Sequence, residues 1–407
     1  MGGDQADASR RLLVLGAGPA QLGLLAAARA RGLFVIAVDR DPGAPGFRYA
    51  DRRAIVSVED EPAVARLAEA ERVDGIVAPG IDWPVAIAAR VAERLGLPLP
   101  LGPSAAGLST SKLRQRERLA EAGVPQPEFS VCATLDEAEA AAARVGYPCV
   151  VKPPDRQGQR GLALVEDSDS LAAAVQQARA ASRAGACLVE ELVEGAEVTV
   201  NGFSIEGRFH PLTVTDRLTA EPPAFGVALA HVWPSEAAGE EAVAIAADAG
   251  AALGIENGPT YTQIRISREG PKLGELAARL GGGHDAELCQ SALGIDLNGL
   301  ALAAALGQQV APPEPEPRVG GACTRFLVAP PGELQSVDGL DEARAIEGVL
   351  DVRVYREPGH VFGPLRGGAD RAGAVLAVGT SRDDALERAM QAERLLRFRT
   401  VDAEALV

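Results

Sequence analysis

Three of the 40 basic residues in this 407-residue chain are lysines, which leaves 37 arginines. An ammonium is a compact point charge on a flexible stem, whereas guanidinium is a wide planar fork. A tight polyphosphate pocket is one place where the two cannot be exchanged. Lys112 stands in SKLRQRERLAEAGVP and Lys152 in GYPCVVKPPDRQGQRGLALV, and both read as phosphate contacts. Lys272, in EGPKL, reads as a solvated charge at a hairpin turn. The loop after Lys152 carries Gly158 and Gly161 with Arg156 and Arg160. Glycines let successive backbone N–H groups close around an anion. Glu190, Glu191 and Glu197 follow in VEELVEGAEVTV. Alone they form a solvated acidic turn; beside a nucleotide they can accept from an adenine amino group or ribose hydroxyls.

The segment TYTQIRISREGPKLGELAARLGGGHDAEL carries the densest chemistry. A five-residue loop over Ser267–Pro271 sets Gln263 opposite Glu275, with Cβ atoms roughly 5 Å apart. Two oxygen-bearing side chains on one sheet face offer a seat for Mg²⁺ or Mn²⁺, since magnesium commonly takes one or two carboxylates plus substrate phosphates and water. Arg279, two pleats along, would stabilise charge on a transferred phosphoryl group. Gly281–Gly283 would let a substrate approach the backbone. His284, just after, and His231, in AFGVALAHVWPS beside Trp233, are candidates to line a substrate pocket, with ordinary packing as the alternative. His210 and His360 read as surface or turn residues, and the four histidines show no metal-binding spacing.

These side chains need a scaffold. RRLLVLGAGPAQLGLLAAARARGLFVIAVD reads as strand, glycine turn, helix and strand, and VDGIVAPG with VAIAARVAERLG repeats that order. Such alternation predicts a parallel sheet covered on both faces, an α/β unit over residues 10–108. A helix capped by Ser109, Thr110 or Ser111 opens a second unit, residues 109–185, with strands at Pro148–Lys152 and Gly161–Val165 around the glycine loop. A third unit, residues 186–310, holds CLVEELVEG, EVTVNGFSIEGRFHPLTVTD and the Tyr261–Ala277 hairpin. VAPPEPEPR reads as a linker. Residues 318–407 then form a small α+β unit.

Composition narrows the classes. The net charge of −16 argues against a nucleic-acid surface, though not against a local cationic pocket. Five scattered cysteines without a CxxC pair read as reduced, buried thiols, and no apolar run is long enough to span a membrane. The expectation is a cytoplasmic protein without nucleic-acid or membrane partners.

A lysine-bearing helix, VVKP, a glycine loop, VEE with Glu197 beyond it, and E-x-x-x-R-x-G-G-G occur here in that order. The ordered set resembles the ATP-grasp superfamily of carboxylate-activating ligases, and ELAARLGGG is similar to the branch holding bacterial L-amino acid ligases. The resemblance runs along nearly the whole chain. It implies an ATP-grasp fold: a Rossmann-like pre-ATP-grasp domain, a two-layer nucleotide clamp and a small C-terminal α+β domain. It implies ATP and Mg²⁺ (or Mn²⁺) as cofactors, and a small-molecule carboxylate and amine joined through an acyl phosphate. It also allows a homodimer, the state of many related enzymes. Lys112 and Lys152 would meet ATP phosphates under a lid of Gly158–Gly161. Glu190, Glu191 and Val193 would belong to the adenine hinge, Glu197 would hold the ribose, Glu275 the metal and Arg279 the acyl phosphate. Family members commonly carry Glu where Gln263 stands and Asn where Ala277 stands, so one ligand charge is missing.

Rival readings remain within the superfamily, a purine-pathway or bicarbonate-activating enzyme, and outside it, an NAD-dependent dehydrogenase or a non-catalytic nucleotide-binding protein. GAGPAQLG with Gly16, Gly18 and Asp39 imitates a dinucleotide fingerprint, yet Gln21 occupies the third glycine position.

Overall fold

The computed structural model describes residues 9–155 and 161–401. Gly158 therefore lies outside the described residues, as do Arg156 and Arg160, whereas Gly161 is inside them. Strands β1 (Arg11–Leu15), β2 (Phe34–Asp39), β3 (Arg52–Ile55) and β4 (Gly75–Val77) form a parallel sheet in the order β3-β2-β1-β4. β1 and β2 are almost continuous apolar runs because helices cover both faces.

Strands β5 (Phe129–Cys132), β6 (Cys149–Lys152), β7 (Ala163–Val165) and β8 (Cys187–Glu191) make an antiparallel sheet in the order β5-β8-β6-β7. Two alanine-rich helices, Leu135–Val145 and Ser168–Ala181, cover one face of it. Just past the second helix, the Arg183 guanidinium stacks 3.9 Å above the Trp83 ring, so this layer touches the N-terminal unit.

The remaining strands are β9 (Ala196–Ile205), β10 (Arg208–Thr219), β11 (Ala228–Trp233), β12 (Gly258–Ser267), β13 (Gly270–Ala277), β14 (Gly321–Leu327), β15 (Gly332–Asp338), β16 (Val349–Val354), β17 (Val361–Phe362), β18 (Gly373–Gly379) and β19 (Arg397–Val401). Eight of them form one sheet, β13-β12-β9-β10-β11-β14-β18-β16, and β17-β15-β19 form a small second one. The segment expected to be a separate C-terminal unit thus shares a sheet with the central strands: β14 pairs antiparallel with β11, Ala230 facing Arg325 and Trp233 facing Ala322. Residues 308–318, which include the proline-rich stretch, carry no helix or strand and return the chain to that seam.

Side chains alternate across the pleat, so each face of this sheet has its own character. Val198, Val200, Ile264 and Leu276 bury themselves under the helix Glu240–Ala252, and Val232, Cys323 and Val375 under the helix Arg382–Leu395. The opposite face is polar although buried: Thr199, Asn201, Thr213, Thr215, Arg217, His231 and Thr324. A buried polar face needs partners, and that face is where the chemistry gathers.

Candidate active site

The helix Lys112–Glu121 starts at Ser111, whose hydroxyl accepts from the Arg114 N–H. Lys112 and Arg116 are one turn apart and share a face. That face lies against β13. Gln115 donates to the Leu276 carbonyl at 2.8 Å and accepts from the Leu276 N–H at 2.9 Å. Arg116 donates to the carbonyls of Leu273 and Gly274, both at 2.8 Å. Side chains of the helix thereby satisfy an edge strand that has no further strand beside it.

The β12–β13 turn is tighter than five residues: Ser267 already pairs with Gly270. A register shift at Gly274 restores the count, so Gln263 still faces Glu275. The Glu275 carboxylate meets the Lys112 ammonium at 2.5 Å. Burial pushes that carboxyl up, but Lys112, with help from Lys152 and Arg279, holds it below the usual carboxylate range.

Lys152 ends β6 and meets Glu190 of β8 at 2.6 Å, while Arg116 meets the same carboxylate at 3.1 Å. Burial opposes ionisation of Glu190, yet Arg116 and Lys152 together pull its pKa down to about 2. Burial lowers the Lys152 pKa, and the cations Arg116 and Lys112 outweigh some of the support from Glu190. Three cations (Lys112, Arg116, Lys152) thus share two carboxylates (Glu190, Glu275), which leaves a positive surplus. An anion placed there relieves it.

Lys272 is not a solvated charge. It bridges Glu191 at 2.7 Å and Glu269 at 3.1 Å and is only 19% exposed, because the tight turn folds it back toward β8. Glu197 is held by Arg217 and, at 2.8 Å, by Arg265. Val193 is buried just after β8. Gly161 has φ +75, and a Cβ there would lie 2.8 Å from Ala181, so this end of the loop admits only glycine without rearrangement.

Arg279 lies beyond the end of β13 and meets Asp82 at 2.6 Å, with its guanidinium 5.5 Å from the Tyr261 ring centre. The glycines after it make room for the protein rather than for a ligand. A Cβ on Gly281 would lie 2.1 Å from the Asp285 carboxylate, and one on Gly283 would lie 2.6 Å from the His231 ring. His231 Nδ1 sits 3.0 Å from Asp285, while its Nε2 is buried without a partner among the described residues. His284 has both ring nitrogens engaged, Nδ1 by Arg353 at 2.8 Å and Nε2 by the Tyr355 hydroxyl at 2.5 Å.

Two domain families match this sequence: the ATP-grasp domain over residues 145–287 and the L-amino acid ligase C-terminal domain 2 over residues 325–401. The chain belongs to the ATP-grasp superfamily. This ATP-grasp protein is 30% identical to the uncharacterized protein y4rH of Sinorhizobium fredii over 380 residues, 88% of this chain and 77% of that one. It is 33% identical over 192 residues to the formate-dependent phosphoribosylglycinamide formyltransferase of Paraburkholderia xenovorans, 46% of this chain and about half the relative's length (47%). The L-amino acid ligase of Bacillus licheniformis has a similar fold, with a TM-score of 0.83 at 23% identity over 97% of this chain and 99% of that one.

Arg116, Arg217, Arg265 and Asp82 join the candidate site without being marked by any of the sequence motifs. Arg116 is signalled by its spacing from Lys112. Asp82 follows β4 in VAPGIDWP, at the carboxyl end of a parallel strand, where open α/β sheets place ligands. The arginines that clasp Glu197 carry no local signal, because β-pairing alone brings Arg217 and Arg265 together.

Proposed function

We propose that this ATP-grasp protein is an ATP-dependent carboxylate–amine ligase. The reading is carried by the cation surplus of Lys112, Arg116 and Lys152 facing the Gln263–Glu275 pair across two β-layers. A triphosphate neutralises that surplus, and Glu197 beyond β8 suits a ribose. The donors fit a hard divalent cation: Glu275 gives a carboxylate, Gln263 an amide oxygen, and phosphates with water complete the set. Among the described residues there is no group of three or more His, Cys, Asp or Glu side chains that could hold a metal ion. A bound Mg²⁺ or Mn²⁺ would supply charge neutralisation during phosphoryl transfer.

The chain's own groups do the rest. Lys112 and Lys152 hold the phosphates, and Arg279, kept in place by Asp82, faces the carboxylate that accepts the γ-phosphoryl group. The acyl phosphate is then attacked by an amine, which forms an amide and releases phosphate and ADP. Catalysis rests on positioning and electrostatics, so no nucleophilic serine or cysteine is required; Cys289 and Cys323 are buried thiols pushed up to about 12 by burial. The match of residues 325–401 to an L-amino acid ligase domain favours an amino acid or dipeptide-type product over a purine intermediate. No helix among the described residues is long and apolar enough to cross a membrane.

ADP release should require a carboxylic acid and an amine together. A coupled assay over pairs of amino acids checks this: ADP formation with no dependence on either partner, across the whole panel, rules the reading out.

A further inference from the structure

Most arginines of the polar sheet face have a carboxylate: Arg217 has Glu197, Arg279 has Asp82, and Arg353 has Glu287 and Asp351. Arg371 has none among the described residues. It lies just before β18 and is partly buried. Its backbone is pinned, for Ala372 donates to Leu327 and accepts from Tyr355 at 2.8 and 2.9 Å. The guanidinium lies 3.8 Å over the face of Phe326, and Nε donates to the Gly368 carbonyl at 2.8 Å. A Cβ on Gly368 would come within 3.1 Å of Nη2, so glycine there keeps the end of the fork clear.

An aromatic face supports a guanidinium without consuming its in-plane donors, and the free Nη edge matches a carboxylate bidentately. Burial lowers the Arg371 pKa and the nearby Arg217 cation adds to this, while Tyr355, Tyr261 and the Asp285 carboxylate, none within ion-pair reach, offset part of it. In a chain of net charge −16, a largely desolvated cation with no carboxylate in direct contact marks a place where an anion comes from outside.

That anion is distinct from the one at Arg279. A row of rings separates the two cations: Phe326 stands 5.6 Å from His231, His231 stands 6.3 Å from Tyr261, and Tyr261 faces Arg279. On the ligase reading, on which this rests, Arg279 serves the carboxylate being activated. The second cation then serves the partner that attacks it. We propose that Arg371 anchors the free carboxylate of the amine substrate, so that the nucleophile is an α-amino acid rather than a simple amine. Holding the carboxylate at Arg371 directs the amino group back along the rings toward the acyl phosphate. The C–N bond forms as the acyl C–O bond to phosphate breaks; the bonding electrons leave with phosphate, which takes up the proton lost from nitrogen.

The test compares acceptors. Wild type, Arg371→Ala and Arg371→Lys are assayed for ADP release with the twenty protein amino acids as acids. Each amino acid that couples as acceptor is paired with its own carboxamide, and hydroxylamine serves as an acceptor that needs no anchor. Wild type should favour the amino acid over its amide by about 10–100-fold in kcat/KM, the worth of a charge-assisted contact. Arg371→Ala should erase that preference through KM, with hydroxamate still formed by the folded variant. Arg371→Lys should restore part of it. A preference that survives in Arg371→Ala, or its absence in wild type, overturns the anchor while hydroxamate still forms. Absence of hydroxamate with every acid overturns the ligase reading and the anchor with it.

Discussion

Two of the chain's glycine turns, the ones after β1 and after β6, lie among very differently satisfied groups. In the N-terminal turn, Gln21 folds into the space a nucleotide would need. Its amide donates to the Pro79 carbonyl at 2.7 Å and sits 2.9 Å from where a Cβ on Gly16 would be. Asp39, which a dinucleotide site would turn to a ribose, instead accepts from the backbone N–H groups of Ala17 and Asp41 at 2.9 and 3.0 Å. Gly16, whose N–H donates to the Val38 carbonyl at 2.8 Å, Gln21 and Asp39 are thus all engaged within the protein. In the clamp, three cations compete for two carboxylates. Unmet electrostatic demand, rather than a glycine fingerprint, distinguishes the proposed phosphate site.

The most severe way to break the comparison is Glu275→Gln. Removing the one carboxylate of the metal pair should cut ADP release by at least about 100-fold, and an unaffected rate denies it that role. Glu190→Gln should leave Arg116 and Lys152 without their counter-charge and destabilise the fold by about 3–5 kcal/mol at neutral pH. Because the native pKa of Glu190 is about 2 against an ordinary 4.5, its contribution is complete above pH 4.5 and lost as the pH falls toward 2. Denaturation midpoints of the two proteins should therefore converge in acid; a constant gap would show that the charge is not responsible. Lys152→Arg keeps the charge but widens it, and should weaken ATP binding about 10–100-fold by calorimetry. Asp82→Asn loosens Arg279 and should lower kcat about 10-fold with little change in ATP affinity. Asp39→Asn completes the contrast: ATP affinity should stay unchanged, and NADH fluorescence should show no binding to either protein.

Much of this was legible in the sequence because local pattern and function coincide. The βα alternation before Leu108, the Ser111 cap and the apolar strands around the glycine loop are all short-range signals. Gln263 pairs with Glu275 although the loop is shorter than the sequence suggests: a two-residue loop shortens the register and Gly274 lengthens it again. What stayed hidden depends on distant segments. Lys272 looks solvated until β8 is known to lie beside it. Gly281 and Gly283 look like room for substrate until Asp285 and His231 are seen to fill that room. The small β17-β15-β19 sheet is hard to read because β17 is two residues long, and GELQSVD and RFRTV carry too few large apolar residues to declare a strand.

The seam between β11 and β14 has a consequence for how the chain tolerates being cut. Prolines 312–317 lie almost wholly in solvent, whereas β14 is held on one side by β11 and on the other by β18. A protease nick among those prolines severs the covalent thread and leaves the fragments zipped together. The two pieces should co-purify, and co-expressed as separate polypeptides they should reassemble.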